Sequence, residues 1–213
     1  MASHQASPGK PRRKVGRPPL HENQRERVIA QAAELFAREG FESASLSQLA
    51  RELGISKAAI YHYFPTKQEI LDEIVFTTLD GLSEFVNGEL EGVESPRERL
   101  ITFMTAHASF FEENYWAFTA MLVDFSEIVS PATRVEAVDR RDGYEAVLRQ
   151  ILVDGIESGD FGPVDVPVTG RAVLSMLNWM ARWFNPSGSV RASEFASAYA
   201  ELLLGGLGTA SEA

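Results

Sequence analysis

The residues of this chain whose types and spacing carry a chemistry lie in the stretch SLSQLARELGISKAAIYHYFPTK, from Ser45 to Lys67. That chemistry is recognition, not bond breaking. Lys57, Ala58 and Ala59 follow directly on Ser56, a residue suited to cap a helix, so a cation and two small side chains open a short helical run. Small residues at the start of such a helix can approach base edges in a groove. Ser45, Ser47 and Gln48 open the preceding run, where unpaired backbone N–H groups favour a phosphate. Catalytic arrangements are missing by contrast. Four histidines stand at no metal-ligand spacing, and there is no Gly-x-Ser-x-Gly, Walker motif or dinucleotide fingerprint. The absence of cysteine excludes disulfides and thiolate metal sites. The expectation is a non-enzyme without cofactor or metal.

Two helices must position these residues. Leu46, Leu49, Ala50 and Leu53 recur at helical spacing and mark a first helix with one buried stripe, opened by Ser45 and Gln48 as a capping box. Gly54 can leave that helix with positive φ, Ile55 can turn back into the core, and Ser56 then caps KAAIYHYF. A short connection containing glycine, followed by a second helix, is the layout of a helix-turn-helix, and duplex DNA is the expected partner. The preceding helix, about 23–39, has Asn23 and Glu26 as a cap pair and buries Val28, Ala32, Leu35 and Phe36. Thr66 with Glu69 forms a further capping box, opening a helix through Ile70, Leu71, Ile74, Val75 and Leu79.

From AAELFAREGFESASLSQLA through GISKAAIYHYFPTK, about residues 24–72, the chain resembles the DNA-binding domain of TetR-family transcriptional regulators. Gly40, Gly54, Ser56, Tyr61, Phe64 and Lys67 all fall where the family pattern wants them. The resemblance implies that Lys57 and the two alanines meet the major groove, where alanine methyls can touch thymine methyls. It implies that Tyr61 and His62 clamp phosphates and that Lys67 does so from the start of the fourth helix, which ties head to body. Taken alone, Tyr61 could equally be core and His62 an incidental surface residue.

Charge supports the division. Residues 1–70 hold 11 Lys+Arg against 7 Asp+Glu, and residues 71–213 hold 9 against 23, although the whole chain stands at −10. A basic head on an acidic body directs the favourable field to one end and orients the molecule on phosphate. The first 22 residues are rich in Pro, Ser and Gly, with no acid before Glu22, and cannot bury enough apolar surface to order themselves. Within them PRRKVGRPP resembles an AT-hook, with Val15 replacing the hook's arginine before Gly16. Arg17 then enters the minor groove, or Arg13 and Arg17 simply attract phosphate; the sequence leaves both open. No apolar run is long enough to span a bilayer and no secretory signal is present, so the expected location is the cytoplasm, nucleoid included.

Beyond Leu79, turn signals at Gly88, Gly92 with Ser95-Pro96, Ser130-Pro131, Gly159 to Pro167 and Asn185 to Ser189 separate helical stretches. These run over about 97–113, 115–128, 133–157, 168–184 and 193–205. Aromatics crowd the middle: Phe103, Phe110, Phe111, Trp116 and Phe125, with Met121 and His107, suggest an apolar pocket or a well-filled core. His107 is more often a satisfied core histidine than a ligand contact, though it could bond a carbonyl. In the family the last two helices form a four-helix dimer interface, which would use Val173, Leu177, Met180 and Phe184, then Phe195, Tyr199, Leu202 and Leu203, unless these residues only close the protomer's own core.

The segment from GIESGDFGPVDVPVTG through ARWFNPSGSV resembles the C-terminal region of members that respond to acyl-CoA thioesters. These usually open the last helix with Ser or Thr, where this chain has Arg191, and that leaves the helix start open. A polyanionic CoA would need arginine, since no lysine follows Lys67. Arg140, Arg141, Arg149 and Arg182, with Trp179 nearby, are the candidates, each equally able to pair with a surface glutamate at little gain (~0–1 kcal/mol).

The reading is an all-α chain: an AT-hook-like arm (1–22), a three-helix DNA-binding domain (23–70), a helical ligand-binding and dimerisation domain (71–208) and a flexible tail (209–213). Expected partners are a palindromic double-stranded operator, a small-molecule effector and a second copy of the chain, with no membrane. An architectural binder of A·T-rich DNA and a regulator of an efflux pump sensing a drug-like ligand also fit. Nothing in the sequence separates repression, the family's usual mode, from activation.

Overall fold

The structure, a computed structural model, describes residues 20–123 and 131–207. Arg13 and Arg17 of the arm, and Phe125, lie outside these residues. Every regular element among the described residues is a helix. A head comprises α1 (Leu20–Glu39), α2 (Leu46–Leu53) and α3 (Lys57–Tyr63). α4 (Lys67–Leu90) leads into a body of α5 (Pro96–Glu113), α6 (Tyr115–Val123), α7 (Pro131–Ser158), α8 (Val166–Trp179), a 3-10 turn (Met180–Arg182) and α9 (Ala192–Leu207).

The head's local chemistry follows the sequence closely. Ser45 Oγ accepts from the Gln48 N–H at 3.2 Å, and Ser56 Oγ from the Ala59 N–H at 3.1 Å. Gly54 ends α2 at φ +67, which lets Ile55 N–H reach Ala50 O at 3.0 Å. Val28, Leu35, Leu49, Ile60 and Phe64 then close a small core beneath α3. Thr66 caps α4 through the Glu69 N–H at 3.1 Å and donates its hydroxyl to the Glu69 carboxylate at the same distance.

Four boundaries depart from the sequence reading. α1 begins at Leu20, so Asn23 lies inside the first turn and is not its cap. Gly88 is helical, and the chain turns instead at Glu91 and Gly92, where Gly92 takes φ +77. α8 starts at Val166 because Asp165 accepts from the Val168 N–H at 2.9 Å, and Pro167 sits in the first turn, where a missing N–H costs no helical bond. The stretch to Phe184 is not one helix: it tightens at Met180, whose carbonyl accepts from Trp183 N and Phe184 N, and both Met180 and Phe184 are thereby buried.

The start of α9 is settled by a residue from another helix. Glu112 of α5 accepts the Ala192 N–H at 2.8 Å and pairs with the Arg191 guanidinium at 2.8 Å. Glu194 accepts the Arg191 N–H at 2.9 Å. A carboxylate on the free N–H groups of a helix start replaces the serine or threonine cap. α9 packs along α5, while α6 packs on α1 and α4.

α4 is tied at several points from its start to Asp80. Lys67 grips the turn after α1, Glu73 pairs with Arg25 of α1 at 2.8 Å, and Asp80 pairs with Arg140 of α7 at 2.7 Å. Arg140 also lies over Phe76, 4.5 Å from the ring centroid. Gly81 lets the Phe110 ring approach, since a Cβ there would lie 3.1 Å from it.

Glu112→Ala is expected to lower stability by about 1–2 kcal/mol in urea unfolding, because it strips the cap from α9. Arg191→Ala removes only an exposed partner and should shift stability by less than ~0.5 kcal/mol. Equal, small losses for both would contradict the capping role.

Candidate functional site

The head presents α3 outward on a fixed base. Ile60 is fully buried, while Lys57, Ala58, Tyr61 and His62 are exposed and Ala59 half-buried. Tyr61, at 45% exposure, resolves outward, and Lys57 Nζ lies 5.6 Å from its ring centroid. Ser45 and Ser47 are exposed at the start of α2 on the same head. These residues form one face bearing small side chains, hydroxyls and a cation, suited to a groove and its flanking phosphates.

Two residues assigned to that face serve the scaffold. The Gln48 amide donates to Glu39 at 2.6 Å and Glu52 at 3.3 Å, so it braces α2 against α1 and leaves the capping box half-made. Lys67 donates to the carbonyls of Phe41 at 2.6 Å, Ala44 at 3.0 Å and Glu42 at 3.3 Å, above the Phe41 ring. An ammonium has three N–H donors, and without DNA all three are directed at these carbonyls, which leaves none over for a phosphate oxygen.

The body forms a partly open cavity of about 510 Å³ between α4, α5, α6, α7 and α8. This lies in the ordinary range for small-molecule sites. Its apolar wall comes from Leu79 and Leu82 of α4, Phe118 and Met121 of α6, and Leu174 of α8. Arg141, Asp142, Glu145, Arg171 and Ser175 give it a polar mouth.

His107, Met121 and Arg141 are the expected ligand residues that line it. Phe103, Phe110 and Phe111 are core: Phe103 stacks on Tyr144, Phe110 packs on Phe85, and Phe111 meets Phe118 and Phe184 edge-on. Trp116 is partly exposed beside Tyr115. Arg140 is held by Asp80 and Glu136, and Arg149 by Glu145 at 2.9 Å. Trp179 is 64% exposed on the outer face of α8, with the Arg182 guanidinium 6.0 Å from its ring centroid, and neither lines the cavity. The sequence reading missed Arg171, Tyr144 and Asn178, because no local pattern shows that separate helices converge there.

The core-versus-ligand question at His107 has a mixed answer. It is 1% exposed, and Nδ1 lies 2.8 Å from the Tyr144 hydroxyl, but Nε2 has no hydrogen-bond partner. Burial lowers its pKa to about 3, against a smaller raising influence from hydrogen bonding with the Asn178 side chain, which lies short of full hydrogen-bond geometry. Burial likewise pushes the Tyr144 phenol up, so both groups are neutral near pH 7.

The expected dimer residues divide in two. Val173, Leu177, Met180 and Phe184 are buried in the protomer's own core, so they cannot meet a partner. Phe195, Tyr199 and Leu203 are half-buried and Leu202 is 76% exposed; Val168 and Trp179 on α8, and Trp183 beyond the 3-10 turn and edge-on to Phe195, are further exposed apolar side chains. The stripe one step around α8 from the predicted one is the exposed one.

Lys67→Ala should lower the stability of DNA-free protein by roughly 1–3 kcal/mol, while Lys57→Ala leaves the urea midpoint nearly unchanged and weakens DNA binding. A Lys67 variant of full stability would restore the phosphate role. For His107, whose folded pKa is depressed, the unfolded chain binds the extra proton below pH 6.5. Stability is therefore whole above that pH and falls as pH drops toward about 3, by up to ~1.4 kcal/mol per unit. His107→Gln should flatten the difference measured between pH 6.5 and 5.

Residues 28–74 match the family of bacterial regulatory proteins, tetR family, and residues 93–207 match the tetracyclin repressor-like C-terminal domain. The crystal structure of PfmR, a TetR family transcriptional regulator from Thermus thermophilus, is similar at a TM-score of 0.79 and 47% identity, over 87% of this chain and 100% of that one. The HTH-type transcriptional repressor KstR2 of Mycobacterium tuberculosis is 26% identical over 87% of this chain and 93% of its own length. The structure of AibR in complex with isovaleryl coenzyme A and operator DNA shares the fold, at a TM-score of 0.74 and 23% identity over 84% of this chain and 97% of that one.

Proposed function

Since this chain belongs to the TetR family of bacterial regulatory proteins, we propose that it is a repressor that binds a palindromic operator as a dimer and is released by an acyl-CoA-like effector. It is a DNA-binding regulator with a helix-turn-helix, and not an enzyme. It works in the cytoplasm, at the nucleoid. The observation that carries the reading is the span of α4: its first residue grips the head, and Leu79 and Leu82 on the same helix wall the cavity. An occupant pressing on that wall acts on a rod that also grips α1 and the turn after it.

Dimerisation through exposed apolar side chains, Trp179, Trp183 and Leu202 among them, supplies the geometry. Two copies of α3 set about one DNA turn apart (~34–36 Å) read half-sites of a palindrome. Spreading them breaks the register.

The acyl-CoA class is supported by the cavity's form. Its volume suits an acyl chain, while the bulky polyanionic head would stay at the mouth, where Arg141 and Arg171 stand. Among similar proteins, AibR was solved with isovaleryl coenzyme A and KstR2 is a ketosteroid regulator. To move the operator-bound population from 99:1 to 1:99, an effector must prefer the released state by roughly 5.5 kcal/mol.

Fluorescence anisotropy on DNA from the gene's own upstream region, titrated with acyl-CoA thioesters, tests the proposal. Saturable, sequence-competed binding reversed by one thioester is expected. Binding undisturbed by every thioester removes the effector class and leaves drug-like ligands to be screened. Equal competition by any A·T-rich duplex replaces the regulator with an architectural binder acting through the arm.

A further inference from the structure

The cavity contains one polar group whose bonding is incomplete, and the way it is incomplete specifies the ligand. His107 is buried, and two neighbouring rings hold its own. Phe118 meets it edge-on at 5.4 Å, the Tyr144 ring lies 5.8 Å away, and Tyr144 is itself stacked on Phe103 at 5.0 Å. Nδ1 faces the Tyr144 hydroxyl at 2.8 Å, and Nε2 makes no hydrogen bond of full geometry, the Asn178 side chain on the cavity wall being the polar group that raises the ring's pKa against burial.

Counting protons decides which nitrogen carries the hydrogen. In one arrangement Tyr144 donates O–H to Nδ1, the imidazole proton sits on Nε2, and one buried donor remains unpaired. In the other, Nδ1–H donates to the Tyr144 oxygen, and two groups remain unpaired: the phenolic O–H and the bare Nε2. Among the described residues the Tyr144 hydroxyl bonds only to His107. Each buried unpaired polar group costs about 1–3 kcal/mol, so the first arrangement is favoured. Burial keeps both groups neutral, so neither phenolate nor imidazolium disturbs this count.

We propose that His107 presents Nε2–H to the cavity as a fixed donor, with Tyr144 as the positioning residue that sets its tautomer, and that it binds the carbonyl oxygen of the effector's thioester. The proposal rests on the acyl-CoA reading and adds to it a demand on the ligand: an apolar chain alone is insufficient. An occupant that excludes water without offering an acceptor leaves the donor unpaired, and the site rejects it on that ground. The other charged groups around the cavity, Arg141, Asp142, Glu145 and Arg171, belong to its mouth and are suited to the ligand's polar end.

Two measurements test this. The first uses ligand-free protein labelled with ¹⁵N-histidine, the His107 signals being assigned with H107Q. Proton-coupled ¹⁵N shifts should report the Nε2–H tautomer near pH 7, and Tyr144→Phe should release that preference. An Nδ1–H tautomer overturns the proposal without reference to any ligand. The second compares octanoyl-CoA with its thioether counterpart S-octyl-CoA, which keeps chain and head and lacks only the carbonyl oxygen, by calorimetry and by operator release. Wild type should favour octanoyl-CoA by about tenfold or more, which is ~1.4 kcal/mol. His107→Phe should bring the ratio near one, His107→Gln, which keeps a donor, should retain part of it, and Tyr144→Phe should lower it. Equal binding of both compounds by wild type, with operator release by both, overturns the carbonyl contact and leaves the acyl-CoA regulator standing. Binding of neither overturns the effector class and the carbonyl assignment together.

Discussion

An α-helix held at several points along its length moves as one body, and α4 is held in this way. At its start the Lys67 ammonium bonds three carbonyls of the turn after α1. Further along, Glu73 meets Arg25, and beyond it Asp80 meets Arg140. The ion pairs are partly exposed and individually weak. Their effect is geometric: they fix which face of α4 looks toward α1 and which toward α7, with Ile70, Ile74 and Val75 buried between. One helix therefore runs from the head, which Lys67 grips, to the cavity wall, which Leu79 and Leu82 form.

What the sequence made legible was local. Ser45, Ser56 and Thr66 each cap the helix they precede, and Gly54 takes the left-handed conformation its position demands, because those features depend on residues within four places of one another. Orientation around a helix was less legible once two faces were both apolar. On α8, Val173 and Leu177 form an inward stripe, while Val168 and Trp179 form an outward one; both repeat at helical spacing, and only the packing of α5 and α7 decides between them. Side-chain function was least legible where a long-range partner intervened. Lys67 is a cation in a position that suits phosphate, and only the fold brings the three carbonyls that occupy it.

The same distinction separates the arginines. The acidic body made each one conspicuous, but charge balance says nothing about reach. Arg140 and Arg149 satisfy carboxylates on or beside their own helix, and Arg171, which the sequence reading passed over in favour of Arg182, stands at the cavity mouth. Tyr144 was hidden for a similar reason: it lies in a charged stretch of α7, and its burial against Phe103 and His107 appears only when α5 and α7 are packed.

The cap on α9 has a consequence for the order of assembly. A serine or threonine cap travels with its own helix and can start it in isolation. Here the capping carboxylate is Glu112, 80 residues earlier in the chain. The first turn of α9 therefore acquires this partner only where α5 has docked against it, so the start of the last helix depends on long-range packing as well as on its own neighbour Glu194.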